Sequence, residues 1–254
     1  MNEEKEWMHG ALTIRDNEDG TASVIGCEKD ASCVEIPSRS RGLAVVSIED
    51  NAFEDCAALK ELSFAEADEE QWLEGQRLSR IGENAFMGCT SLTSVDLPDS
   101  VAVIGWGAFY HCHALREVSF SVCTYVSGYA FSHCTALERV TPLSEVIEGT
   151  FSHCVSLKAL PVSERLRVIE DDAFEHCDGL TEIFFPETLK RIGDLAFRGC
   201  RGLKRATFAA PTGWYGTNRY TDDEAVLDLS DPERNARWLT NVDFDDGPNG
   251  WHRK

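Results

Sequence analysis

The residues with the greatest chemical potential in this sequence are its ten cysteines, seven of which recur at one spacing. Four of the seven follow a histidine: His111-Cys112, His133-Cys134, His153-Cys154 and His176-Cys177. An imidazole beside a thiol suggests a metal centre or a Cys-His nucleophile. Zinc needs ligands converging at about 2.0–2.1 Å in a closed set, whereas histidines one repeat apart form a row. A nucleophilic site is single and needs a third, orienting group, whereas this pair is copied four times. Buried cysteine behaves as a small hydrophobe, and a reactive thiol needs an exposed, electropositive setting. The expectation is therefore no catalytic residue, no metal and no cofactor; a metal-binding or thiol function of the repeated His-Cys turn is the alternative. Cys27 and Cys33 lie outside the column and are the disulfide candidates for an oxidising compartment. The chain has no phosphate-cradling glycine loop, GxSxG elbow, HExxH or CxxC.

What positions these residues is a repeat. Its anchor column is Phe53, Phe86, Phe109, Phe131, Phe151, Phe174 and Phe197, and Cys and Leu follow at steps of three. Ile or Val stands five residues before each Phe, and an LxxVxL segment completes the copy. A unit of about 20 to 30 residues cannot bury its own apolar edge, so copies stack and cover one another. Alternation in LxxVxL predicts a strand with every second residue inward, and AFxxC is long enough for one helical turn. Eleven of the thirteen Phe residues lie in two of these columns, so their use is structural. Glu175, between anchor Phe174 and Cys177, reads as a surface residue whose removal costs little.

The stretches GLAVVSIEDNAFEDCAALKELSF and SRIGENAFMGCTSLTSVDLPDSVAVIGWGAF carry a recognisable motif, nearly unbroken from Ile81 to Gly105. The sequence resembles the BspA-type leucine-rich repeat family over roughly residues 11 to 208. The resemblance implies a leucine-rich-repeat solenoid, curved and β-rich with short helical turns. It also implies a non-enzymatic protein-binding module, such as a cell-surface adhesin or interaction protein. A purely intracellular scaffold is the alternative.

The expected organisation is a single domain with four parts. Residues 1–10 form a flexible terminus, and 11–47 an N-terminal hairpin cap with a degenerate first rung. Residues 48–208 hold seven AFxxCxxL units, and 209–254 form a C-terminal cap. The net charge of −20, with thirteen of those charges in residues 1–75, disfavours nucleic acid as a partner, because phosphate contact needs basic clusters. No apolar run has the length of a membrane span. MNEEKEWMHG lacks the basic start and apolar stretch of a signal peptide, so the chain as written reads as cytoplasmic; the family resemblance points instead to the cell surface or secretion.

The expected partner is another protein, met by a monomer. Contact is expected on the strand-lined concave face, whose outward positions include Glu117, Arg139, Glu182, Phe184 and Arg205. Phe184 is an aromatic where a solvated strand favours a polar residue, and aromatics and Arg commonly anchor interfaces. An acidic insertion after the first repeat, AEADEEQWLEGQR, reads as a tolerated surface loop. Its Trp72 and Leu73 make a contact finger the alternative.

Overall fold

The computed structural model describes residues 5–217, 224–240 and 250–253. Two compact units divide the chain, Met1–Ala130 and Phe131–Lys254, and the boundary falls inside one AFxxC copy.

Each copy folds as one solenoid turn. AFxxC is a run of tight turns closed by i+3→i hydrogen bonds, as in Glu54 N–H to Asn51 O (3.0 Å), Cys56 N–H to Phe53 O (3.0 Å) and Leu59 N–H to Cys56 O (3.0 Å). Two left-handed residues keep it from lengthening into a helix. The first left-handed column is Asn51, Asn84, Gly107, Tyr129, Gly149, Asp172 and Leu195, and the second is Asp55, Gly88, His111, His133, His153, His176 and Gly199. All have φ of 51–73°, a region in which Asn, Asp, His and Gly are over-represented. The histidine column is thus explained by the backbone.

The left-handed residues turn alternate N–H groups toward the next copy. In the first unit the Phe53, Phe86 and Phe109 amides donate to Ala85, Ala108 and Ala130 carbonyls at 2.7–2.8 Å. In the second, Phe131, Phe151 and Phe174 donate to Thr150, Ala173 and Ala196 at 2.8–3.0 Å. The rings stack behind these bonds: Phe53–Phe86 at 4.7 Å and Phe86–Phe109 at 5.2 Å in the first unit, and 5.2–5.6 Å from Phe131 to Phe197 in the second. Turns approach so closely that a Cβ on Gly105 would lie 2.6 Å from the Gly82 carbonyl carbon, which accounts for glycine after Ile in the motif.

In the first unit Leu43–Ile48, Arg80–Ile81, Val103–Ile104 and Tyr125–Val126 pair in parallel, with Ile48, Ile81, Ile104 and Val126 aligned and buried. The LxxVxL strands form two further pairs, Cys33–Ile36 with Glu61–Phe64 and Ser94–Asp96 with Glu117–Ser119. The cap hairpin is Leu12–Asp16 and Thr21–Cys27, and the latter lies parallel to Leu43–Ile48. Within residues 1–10, expected to be a flexible terminus, the structure corrects the described part: Glu6–His9 is a third cap strand. Buried Trp7 fixes it, its indole N–H donating to Ser40 Oγ (2.9 Å) and its ring lying 4.7 Å from the Arg41 guanidinium.

The acidic insertion, expected to be a loop, contains helix α1 (Glu69–Glu74). Asp68 and Gln71 form a capping box, and Gly75 closes the helix in a left-handed conformation. Gln71 is fully buried and donates to Ser38 O (2.7 Å), while Arg39 pairs with Asp68 and Glu70 at 2.9 Å each. One buried amide and one arginine therefore hold a segment that composition marked as solvated.

In the second unit Glu145–Val146, Val168–Ile169 and Arg191–Ile192 pair in parallel, as do Glu182–Phe185 and Arg205–Phe208. One rung is irregular because of Pro142: it is exposed, and Leu143 fills the buried slot one residue later, pairing with Val162. Pro161, which the repeat spacing puts at an outward strand position, is buried. The closing segment places Gly250–Arg253 antiparallel to Arg191–Ile192 and to Trp214–Thr217, which also pairs with Glu224–Leu227. Helix α2 (Pro232–Thr240) starts at Asp231, whose carboxylate accepts the N–H groups of Glu233 (3.0 Å) and Arg234 (3.1 Å), with Pro at the first helical position. Trp214 and Trp251 are buried against the last ladder ring, Phe208, at 5.2 and 5.8 Å.

Glu175 is also corrected. Only 13% of its side chain is exposed; Oε1 accepts from Arg198 Nε (2.9 Å) and Oε2 from Ser152 Oγ (3.4 Å). It joins three successive turns.

Three outcomes are expected in chemical denaturation. Phe174→Ala loses about 3–5 kcal/mol by opening a cavity between rings; a loss below about 1 kcal/mol would show that the Phe column is not the core. Glu175→Ala loses about 1–3 kcal/mol, because Arg198 is left half-buried without its carboxylate. Leu195→Asn, which puts a tolerant residue at a left-handed position, gains up to about 1 kcal/mol, and a clear loss would refute backbone selection of that column.

Candidate functional site

The outward positions of the LxxVxL strands carry the residues singled out as contacts. In the first unit Glu117 is half-buried on its strand, in register with Ser94. In the second unit Arg139 is exposed on Arg139–Val140. Glu182 and Phe184 project from one strand opposite Arg205 and Thr207 of the next. Arg205 also reaches the C-terminal cap, its Nη1 4.0 Å from Glu233 Oε1 of α2. Phe184 is 58% exposed, although Ile183 and Phe185 on either side are buried. Period-2 alternation forces this: with the flanking residues in the core, residue 184 must face out. Beside it lies a hollow of about 300 Å³, lined by Ala159, Leu160, Val162, Glu182 and Ile183.

The second unit therefore gathers Glu182, Phe184 and Arg205 on one strand pair and presents Arg139 on its own strand, while Glu117 belongs to the first unit. Trp72 and Leu73 lie on α1, and their side chains fall outside the described residues.

The turn side carries the histidines. In the second unit His133 and His153 stack at 4.3 Å, and His153 and His176 approach at 4.8 Å. In the first unit His111 packs on Tyr110 at 4.3 Å and His113 at 5.1 Å. His111, His133, His153 and His176 are half-buried, while His113 is exposed. Burial and the neighbouring His176 imidazole hold the His153 pKa below its ordinary value. Ser152 Oγ lies 2.9 Å from His153 Nδ1. Among the described residues no group of three or more His, Cys, Asp or Glu is placed to hold a metal ion.

The column cysteines are fully buried. Each thiol in the series Cys89, Cys112, Cys154, Cys177 and Cys200 donates to the carbonyl of the Phe one turn earlier, at 3.0–3.2 Å. Burial pushes up the pKa of Cys89, Cys154 and Cys177, and that of Cys200 to about 12. Cys27 and Cys33 are not joined, and the expected pairing finds no support in their surroundings. Cys33 is exposed with its thiol 3.6 Å from Glu61 Oε2, whereas the thiol that Cys27 meets is Cys56.

Two features escaped the sequence reading. The first unit contains a hollow of about 780 Å³ lined by Ser38, Val45, Phe64, Gln71, Leu78 and Leu97. It depends on α1, which the sequence did not announce. The same unit exposes Trp106 with its ring 5.4 Å from Tyr129, and Tyr125. The signal was present in IGWGAF, where Trp106 stands at the position of Glu83 in IGENAF.

No helix among the described residues is long and apolar enough to cross a membrane. No curated protein matches the sequence. Among solved structures, a leucine-rich cell surface protein of Faecalibacterium prausnitzii is similar at 26% identity and a TM-score of 0.69; the match covers 89% of this chain but 61% of that one. Leucine-rich repeat proteins of Bacteroides ovatus and T. pallidum, each 22% identical with TM-scores of 0.50 and 0.52, share the fold. Those matches cover 81% and 94% of this chain, and 72% and 97% of the other. The description "BspA type Leucine rich repeat region" fits residues 47–149 and 144–222 in six copies, well over half of the chain. The protein belongs to the BspA-type leucine-rich repeat family.

Proposed function

We propose that the protein is a non-enzymatic binding module that captures another protein on its outward-facing strand residues. Phe184 carries the reading. A phenylalanine 58% exposed on a two-stranded sheet loses hydrophobic free energy unless something covers it. The hollow beside it would accept an apolar side chain, and Glu182 and Arg205 flank it with charges of opposite sign. An apolar anchor with a charged rim is the usual composition of an interface centre. Arg139 supplies a further cation in the same unit, Glu117 is a contact residue of the first, and α1 with Trp72 and Leu73 is a secondary contact segment. The partner sought is a protein, bound by a monomer without cofactor, catalysis, nucleic acid or membrane insertion.

Action at the cell surface, as an adhesin or interaction protein, is part of the proposal. Its support is the similarity to the F. prausnitzii protein, which is described as a cell surface protein.

Wild type and the Arg139→Glu/Phe184→Ala variant, immobilised side by side, are to be exposed to extracts of the source organism and its surroundings, with retained proteins identified by mass spectrometry. At least one protein should be held by wild type and reduced tenfold or more on the variant, with the melting temperature unchanged. Equal retention by both overturns the assignment.

A further inference from the structure

The cysteine column has a first member, and its position differs from the rest. Later thiols donate to a Phe carbonyl one turn earlier, as Cys89 does to Phe53 O (3.2 Å) and Cys112 to Phe86 O (3.1 Å). Cys56 has no AFxxC turn before it. What lies against its turn is the segment that leaves the cap strand Thr21–Cys27. Glu28 N–H is tied back to Ala11 O (2.9 Å), the Lys29 ammonium sits on the Glu54 carbonyl, and Ser32 O accepts the N–H groups of Lys60 (2.8 Å) and Glu61 (3.2 Å). Residues 27–32 thus run along residues 54–61, and the half-buried Cys27 thiol meets the fully buried Cys56 thiol.

The ionisation of the two thiols sets them apart from the column. The Cys27 thiol, with help from the Lys29 ammonium, lowers the Cys56 pKa to about 7 against the effect of burial. Cys27 is pushed up, first by the Cys56 thiol and then by burial. The pair gives up one proton readily and holds the second. Elsewhere in the column burial dominates, and the shift is upward.

We propose that Cys27 and Cys56 form a disulfide by exchange with a small-molecule disulfide of the glutathione type, bolting the cap strand to the first repeat turn. Cys27 is the sulfur that solvent reaches. The Cys56 thiolate takes the Cys27 proton as the Cys27 sulfur attacks one sulfur of glutathione disulfide, forming a mixed disulfide and expelling a glutathione thiolate. That thiolate takes the remaining proton from Cys56. The Cys56 thiolate then attacks the Cys27 sulfur and expels the second glutathione, which is protonated from water. Two cysteine thiols are oxidised, one glutathione disulfide is reduced to two thiols, and the two cysteine protons are balanced by those thiols. The bond would restrict the unfolded chain and hold the cap in place.

The test uses the full chain with the two exposed cysteines replaced, Cys33→Ser/Cys123→Ser, beside wild type. Both are incubated folded with glutathione disulfide, alkylated, digested and mapped by mass spectrometry. A peptide pair joined through Cys27 and Cys56 is expected in both, with the other column cysteines unmodified. The melting temperature should rise on oxidation, fall back with dithiothreitol and be insensitive to oxidation in Cys27→Ser. Cys27 left reduced, carrying a persistent glutathione or joined to any cysteine other than Cys56 would overturn the proposal.

Discussion

Two left-handed residues in each turn are the constraint on which the other features depend. They fold AFxxC back sharply and turn alternate N–H groups toward the following copy, where carbonyls receive them at 2.6–3.0 Å. Once backbones are joined at that spacing, the side chains between them must stack. The Phe rings fall 4.7–5.6 Å apart within each unit, the cysteines lie inside, and the residues before them emerge on the turn surface. Aromatic stacking adds to the burial of each ring, but the register is set by the peptide groups. That is why Asp, Gly and His alternate in one column while Phe and Cys hold theirs throughout.

The repeat, the two strand columns and the cap hairpin were legible because apolar spacing is their cause. The meaning of the His-Cys pairs was not. Reading them by side-chain chemistry posed a choice between metal, nucleophile and solvent row, whereas histidine stands there because φ is positive. Glu175 was misjudged because periodicity says whether a residue faces the core but not whether an arginine one turn away covers it. Helix α1 was hidden for a similar reason: a short acidic segment looks solvated until Gln71 and Arg39 are seen to hold it. Phe184 was legible as an outward aromatic; the hollow beside it requires the third dimension.

The two ends of the repeat array are finished by different means. At the start, antiparallel strands carry the sheet edge away from the first rung and Trp7 fixes the outermost one. In the second unit, Trp214 and Trp251 close over Phe208 while α2 lies on the last LxxVxL strand. Both arrangements pair or cover backbone groups that would otherwise invite association at an open edge.

On the AFxxC side of the coil the backbone hydrogen bonds between turns point one way, whereas on the strand side amides such as Gly82 and Gly105 donate back to Ile48 and Ile81 of the preceding copy (2.8 and 2.9 Å). Along the AFxxC face N–H groups point to the following copy and C=O groups to the preceding one, so the peptide dipoles of that face add along the direction of stacking. The first unit begins at its carbonyl pole, and the group set upon the Glu54 carbonyl is the cationic Lys29. The second unit ends at its amide pole, where Gly199 N–H finds Thr240 O at the carbonyl end of α2 (3.5 Å). On that face each terminus is thus matched in sign as well as in shape: the caps set a cation on the exposed carbonyls and a carbonyl on the exposed amides.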